Sequence, residues 1–401
     1  MKNILLLMPY GSVGGMERLA LTFYTHYKSI GYSVKAVKFI GLKSDIVHFD
    51  SDEYILSRKD LHELSPIKRL KFYLSIPLKL RKIIHKEKIT HSISFGDMAN
   101  IYSALTYTKD RKIGSIHALK SVELNAGSVF NTLIKYSYRT VYKNLHKVVC
   151  ISSAIKKDLL DKCNYKFINN LEIIYNPHNL EKIIQLAKEP IEDKTEKKIF
   201  QNDVILFLGR LSYQKSPWHL INAFSQIKNK NSVLVFIGDG DQEVINYIKE
   251  QVNKLALEKK VFFLSRKSNP YKFLAKAKVL ALSSHYEGTP NVIVEAIALQ
   301  VPVVSSNCTN GIAELMSLSK DILSVNENTI VESGIITPNL YKGSLGIPNT
   351  QSKLFMEEEL KLAEAIDQVL VDEKITACLS QNSNELTDKF DMSFVCNKYL
   401  E

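Results

Sequence analysis

Val279-Leu-Ala-Leu-Ser-Ser-His-Tyr-Glu-Gly-Thr-Pro-Asn-Val-Ile-Val-Glu-Ala-Ile-Ala-Leu-Gln-Val-Pro-Val-Val-Ser305 reads as a strand, a loop, a helix and a second strand. The apolar runs Val279–Leu282 and Val301–Val304 have the length and β-branched content of buried strands. Between them, Thr289 is expected to cap a helix, with Pro290 at its first position, where no backbone N–H is needed. Glu287 is then delivered to the carboxyl end of a strand, beside a helix N-terminus whose free N–H groups attract phosphate. A carboxylate next to an anion site suits a ligand with both polyol hydroxyls and phosphate. Sugar nucleotides have both. Glu287 would accept hydrogen bonds from sugar hydroxyls, backbone amides of Gly288, Thr289, Pro290, Asn291 and Val292 would border the diphosphate, and Glu295, about one turn into the helix, would point at a ribose.

Outward from this segment, strand and helix patterns alternate along the whole chain. In the first half, strands are expected at 2–8, 33–39, 91–95, 113–116 and 147–151, with helices at 16–30 and along a basic stretch after residue 66. The pattern restarts with strands at 204–208, 233–237, 261–264, 279–282 and 302–305. Such alternation predicts α/β architecture with two Rossmann-like, doubly wound parallel-sheet domains, and 401 residues favour two domains over one. We expect a first domain over 1–180, a charge-rich linker over 181–200 and a second domain over 201–380. A C-terminal helix of about 380–401 is expected to pack back on the first. Ligand would sit in a cleft facing the strand carboxyl ends. The stretch 341–353 lengthens the connection before a helix at 356–371 and is assigned no role.

Two other strand ends carry chemistry. Leu208-Gly-Arg-Leu-Ser-Tyr-Gln-Lys-Ser216 puts Arg210 and Lys215 between a strand and a helix, where two cations can neutralise a leaving diphosphate. Tyr10-Gly-Ser-Val-Gly-Gly-Met-Glu-Arg18 follows the first strand but is not a G-x-G-x-x-G dinucleotide fingerprint. Gly14 and Gly15 fit either a tight turn or a close approach of backbone to ligand. Asp239-Gly-Asp241 has the look of a metal motif, yet a turn with a helix N-cap is the plainer account.

Strand, Glu-Gly-x-Pro-Asn, helix and Val-Pro-Val-Val-Ser together resemble the retaining glycosyltransferases of the GT-B fold, the large family 4 typified by sugar transferases of bacterial surface polysaccharides. The G-R-L-x-x-x-K pattern is similar to the family's donor-diphosphate site and matches at Arg210 and Lys215. The resemblance further implies that Gly14 and Gly15 approach the cleft from the acceptor domain. It also implies that the loop Leu264–Asn269 borders the nucleotide base; Arg266 and Lys267 either line that site or are solvated. His117, ending Lys112-Ile-Gly-Ser-Ile-His117, would stand near the transferred sugar and position it, the leaving phosphate itself taking the acceptor proton. The implied reaction is metal-independent transfer, with retention, of a hexose or N-acetylhexosamine from a nucleotide sugar, UDP-linked in preference to GDP-linked. No cofactor is expected. The implied acceptor is a saccharide on a polyprenyl diphosphate, in O-antigen, capsule or exopolysaccharide assembly. A nucleotide-sugar epimerase or a non-catalytic sugar-nucleotide sensor on the same fold are the alternatives.

Charge bears on the partner. The net charge of +11 is uneven: residues 1–180 carry +14 and the remainder −3. The run from Pro66 to Lys88 holds eight Lys/Arg and a single Glu, interleaved with apolar residues, as in helices that lie on anionic lipid. A solvated helix face is the other reading, and no recognised nucleic-acid module accompanies the patch. Five cysteines without a CxxC point to a reducing compartment and to neither disulfides nor zinc. The run Asn3–Met8 is too short for a secretory signal, and no stretch of about 18 apolar residues exists. The expected location is the cytoplasm, peripheral to the inner face of the membrane.

Overall fold

The computed structural model describes residues 2–11, 15–43, 45, 47–124, 129–319, 326–343, 346–348 and 355–401. The chain divides into two compact units, Met1–Pro177 with Met392–Glu401, and His178–Asp391.

The first unit is built on seven strands: β1 (Asn3–Met8), β2 (Ser33–Ile40), β3 (Glu53–Ser57), β4 (His91–Phe95), β5 (Arg111–Ile116), β6 (Lys147–Cys150) and β7 (Leu171–Ile173). They pair in parallel in the order β3-β2-β1-β4-β5-β6-β7. Because helices cover both faces of such a sheet, its central strand is apolar on both sides. Ile4, Leu6 and Met8 enter one buried cluster with Phe23 and Phe95, while Leu5 and Leu7 enter another with Phe72 and Ile76. An unbroken apolar run is therefore what β1 requires.

The short C-terminal helix Met392–Leu400 belongs to this unit. Tyr27 Oη donates to Cys396 O at 2.8 Å, and the Phe23 and Tyr399 rings meet edge-on at 4.7 Å. The preceding helix, Glu373–Asp388, stays in the second unit.

The second unit has β8 (Asp203–Leu208), β9 (Ser232–Ile237), β10 (Val261–Leu264), β11 (Val279–Leu282), β12 (Val303–Ser306), β13 (Thr329–Val331) and β14 (Gly334–Thr337). Their order is β10-β9-β8-β11-β12-β14-β13, parallel except for the β13–β14 hairpin. In both sheets the order reverses after the first strand, between β1 and β4 and between β8 and β11. In a doubly wound sheet, loops leaving the strands at such a switch point diverge, and the crevice between them is the usual ligand position.

Two expectations are corrected. Residues 181–200 are not a bare linker: helices Leu180–Ala187 and Lys194–Ile199 form there, capped by Asn179 and Asp193. Asn269 Nδ2 donates to Leu186 O at 2.8 Å and Lys267 pairs with Glu196, which seats both helices in the second unit. Thr289 is not a cap, because the helix starts one residue later, at Asn291. Pro290 holds the N-cap position in extended conformation (ψ 108°) and has no side-chain acceptor to offer. Four of the first unit's excess cations are internal: Lys38 pairs with Asp45 and Glu53, Lys112 with Asp110, Lys120 with Asp97 and Lys147 with Glu172.

Candidate active site

The loops after β8 and β9 are laced together before any functional side chain is placed. Leu211 N donates to Asp239 O at 2.9 Å and Asp241 N to Leu211 O at 2.8 Å. A Cβ on Gly238 would stand 2.0 Å from Gly209 O, so only glycine permits this approach. The lacing sets Arg210 against Asp241, Nη2 to Oδ1 at 2.6 Å, on an exposed surface. Asp241 is the N-cap residue of the helix Gln242–Lys254, but its carboxylate serves Arg210 instead of the helix N-H groups. Asp239 Oδ1 accepts from Arg266 N at 3.2 Å. Each aspartate of the metal-like motif thus has a protein partner, and no cluster of His, Cys, Asp or Glu suited to a metal occurs among the described residues.

The loops after β8 and β11 meet next, at the switch point. Ser216 sits in left-handed conformation (φ 38°), a strain of about 1–3 kcal/mol for a non-glycine residue. Reciprocal bonds hold it there: Ser216 Oγ donates to Ser283 O at 2.5 Å, and Ser283 Oγ lies 3.0 Å from Ser216 O. The strained turn brings the Lys215 ammonium onto Glu287 Oε1. Ser284 Oγ donates to the same oxygen at 2.7 Å, whereas Oε2 has only Gln214 Nε2 at a weak 3.4 Å. Glu287 is 8% exposed. One of its oxygens is therefore saturated and the other retains acceptor capacity in a nearly buried position.

Beyond Glu287, Gly288 has open space around it, and the helix Asn291–Ala298 begins. The N–H groups of Gly288, Thr289, Asn291 and Val292 find no acceptor among the described residues, so this end of the helix has donors to offer an anion. Asn291 hydrogen-bonds to the buried His178, whose imidazole is pushed down to about 4 by burial. Glu295 lies on the same helix with Tyr271 Oη at 3.4 Å, and burial lifts its carboxyl to about 7. Arg266 is exposed; Lys267 turns away, pairing with Glu196 and lying over the Phe273 ring at 5.6 Å.

In the first unit, His117 follows β5 and is half-buried. Its Nε2 is 2.8 Å from Ser115 Oγ, and Ser115 Oγ donates its single proton to Ser94 O at 3.0 Å. With that hydroxyl proton directed at Ser94 O, Nε2 carries the ring proton and Nδ1 is an acceptor. Burial and then the Lys120 charge push this imidazole well down, to about 3, so it stays neutral near pH 7. Lys120 is fixed by Asp97 at 2.7 Å, and Asp97 also accepts from Tyr138 at 2.7 Å and Tyr142 at 2.9 Å. Gly15 opens the helix Gly15–Ser29; Gly14 lies outside the described residues. Gly11, in the same loop, leaves no room for a Cβ, which would fall 2.5 Å from Asp45 Oδ2.

Sequence reasoning missed Gln214, Ser284, Asp97 and Lys120. Gln214 and Ser284 sit inside the quoted motifs, where a polar residue at a strand's carboxyl end is the available signal. Asp97, directly after Phe95-Gly96, offers the same cue.

Residues 13–182 match the family model Glycosyltransferase Family 4, and residues 189–331 match Glycosyl transferases group 1. The chain is 28% identical over 333 residues to an uncharacterized glycosyltransferase of Methanocaldococcus jannaschii, covering 80% of each. It is 29% identical over 314 residues to the N-acetylgalactosamine-N,N'-diacetylbacillosaminyl-diphospho-undecaprenol 4-alpha-N-acetylgalactosaminyltransferase of Campylobacter jejuni, covering 75% of this chain and 80% of that protein. The structure of Anabaena HepE in complex with UDP matches with a TM-score of 0.74 at 18% identity, over 99% of this chain and 98% of that one. At that identity the likeness is one of fold. With its two parallel-sheet domains and its two family models side by side, this chain is a GT-B glycosyltransferase of the group 1, family 4 type.

Proposed function

We propose that the enzyme transfers a hexose or N-acetylhexosamine from a UDP-sugar to a lipid-linked saccharide, with retention of anomeric configuration, in bacterial surface-polysaccharide assembly. One observation carries this reading: the Lys215–Glu287 pair at the switch point, beside a helix N-terminus with free N–H groups. The helix end and Arg210 offer a cradle for a diphosphate, and Lys215 adds charge where the leaving phosphate develops it. Glu287 Oε2 is left to accept from a sugar hydroxyl, and Glu295 from the ribose. No cofactor or metal is required, since cations and backbone N–H groups meet the charge. Neutral His117, with Nδ1 free to accept, suits orientation of the sugar better than proton abstraction.

UDP in the Anabaena complex and the diphospho-undecaprenol acceptor in the name of the Campylobacter relative support the donor and acceptor. The helix Pro66–Lys86 supports a membrane-associated acceptor. Phe72, Ile76, Leu80, Ile83 and Ile84 bury one side. On the opposite side Ile67, Leu70, Leu74 and Leu78 are each 59–69% exposed, at three- and four-residue spacing. Exposed Lys68, Lys71, Arg81 and Lys82 flank that stripe, whereas Arg69 and Lys79 are turned inward onto Leu61 O and Leu56 O. An apolar stripe rimmed by cations fits the surface of an anionic bilayer. No helix among the described residues is long and apolar enough to cross a membrane.

The test is a panel of UDP- and GDP-sugars, read as protection against thermal unfolding, followed by transfer to polyprenyl-diphosphate saccharides. NMR of the product would give the anomeric configuration. A donor at 100 times its Kd adds about 2.7 kcal/mol of stability. Release of free epimer without acceptor would favour the epimerase reading, and binding without turnover the sensor reading.

A further inference from the structure

The wall behind Glu287 holds a buried set of titratable side chains that the proposed chemistry does not use. His285 lies two residues before Glu287 and is 5% exposed. Its ring is lodged among Trp218, His219 and Tyr341, with centroids 5.7, 5.1 and 5.5 Å away. His285 Nε2 is 3.0 Å from His219 Nε2, and His219 Nδ1 is 2.7 Å from Glu359 Oε1. Glu359 is anchored in turn by Asn222 Nδ2 at 2.8 Å and Met356 N at 3.0 Å.

With His219 neutral, counting protons gives the direction of this chain. The carboxylate accepts from His219 Nδ1–H, so in the neutral ring His219 Nε2 is an acceptor. His285 Nε2–H must donate to it. His285 Nδ1 is then a bare lone pair, buried and without a partner. Burial and then His219 push the His285 imidazole down to about 4, in keeping with a neutral ring. A phenylalanine would fill this apolar niche without an orphaned nitrogen, so the Nε2 end is the part with a use.

The geometry points to that use: His285 is a positioning residue for Glu287, tied through His219 to Glu359. His219 stands on the helix Pro217–Ser225, which starts just after Lys215, and His285 stands on the loop that carries Glu287. The imidazole pair therefore bridges the two segments that bear the Lys215–Glu287 ion pair. The serine bonds fix residues 216 and 283, and Gln214 fixes Tyr286 O at 3.0 Å. His285 fixes the loop from behind, so that Glu287 Oε2 keeps a set direction toward the sugar.

This inference rests on Glu287 contacting the donor sugar, and the experiment separates the two. Variants H285F, H285Q and E287Q are compared for kcat, for KM of the UDP-sugar and for binding of free UDP, after thermal melts show that each is folded. Phenylalanine keeps the ring but removes the donor; glutamine restores an N–H near the Nε2 position. Displacements of about 1 Å in catalytic geometry cost roughly 10²-fold. We therefore expect H285F to lower kcat by about 10- to 100-fold with UDP binding unchanged, and H285Q to recover most of it. Nitrogen-15 shifts should report His219 protonated on Nδ1 and His285 on Nε2. Wild-type kcat in H285F, with E287Q inactive, would overturn the positioning role alone. Parallel loss of kcat and UDP binding in H285F without recovery in H285Q would also overturn it, leaving a structural ring. Wild-type kcat in E287Q would remove the sugar-contact reading and this inference together.

Discussion

Glu295 offers the sharpest quantitative test of the proposed nucleotide site. Its carboxyl is lifted from 4.5 to about 7 by burial, with Tyr271 Oη opposing only in part. If the ribose hydroxyls are held by the carboxylate, donor affinity must follow its ionisation. With a pKa of about 7, roughly one-tenth of the molecules are ionised at pH 6 and roughly nine-tenths at pH 8. The Kd for a UDP-sugar, whose diphosphate diester does not titrate in that range, should tighten by about eight- to tenfold across it. Calorimetric titration at half-unit pH steps measures this. Glu295→Gln should bind more weakly at pH 8 and lose most of the pH dependence. The ligand-free protein gives an independent sign. A carboxyl raised on folding binds more protons folded than unfolded, so stability is greatest below 4.5 from this group and falls as pH rises toward about 7. The loss is about 1.4 kcal/mol per unit, or about 3 kcal/mol in all. A pH-independent Kd, or an equal slope in Glu295→Gln, would refute the ribose assignment.

Further outcomes follow from the site and from the helix Pro66–Lys86. Arg210→Ala and Lys215→Ala should each lower turnover by roughly 10²-fold. Their stabilities should differ, because Arg210 forms an exposed pair worth less than about 1 kcal/mol, whereas losing Lys215 strands a nearly buried carboxylate at a cost of about 3–5 kcal/mol. Steady-state kinetics and denaturant melts of both variants check this. Activity should survive excess EDTA; abolition by EDTA with rescue by Mn²⁺ would make Asp239 and Asp241 ligands. Replacing Lys68, Lys71, Arg81 and Lys82 with Gln should release the protein from anionic vesicles at moderate salt, each cation being worth about 1 kcal/mol there. Replacing Leu70, Leu74 and Leu78 with Ser should weaken binding to the same vesicles at high salt as well, and unchanged sedimentation in both variants would leave this helix a solvated face.

The sequence by itself determined the parts of the molecule that depend on local pattern. Apolar runs such as Asn3–Met8 and Val279–Leu282 are strands because a sheet covered on both faces demands continuous burial. The G-R-L-x-x-x-K and E-x7-E spacings marked two loops that meet at the switch point, since each spacing lies within one strand–loop–helix unit. Edge strand β3, with no fully buried residue, carried no such signal. Tertiary structure alone decided which partners those side chains meet. Lys215 and Glu287 are 72 residues apart and meet because β8 and β11 are neighbours at the switch point. The same holds for His285, His219 and Glu359, gathered from a loop and two helices, and for the cations, since residue counts do not separate inward Arg69 from exposed Lys71. Periodicity is a property of neighbours in sequence, whereas ion pairs and imidazole relays depend on strand order and register, which bring distant loops within hydrogen-bond reach.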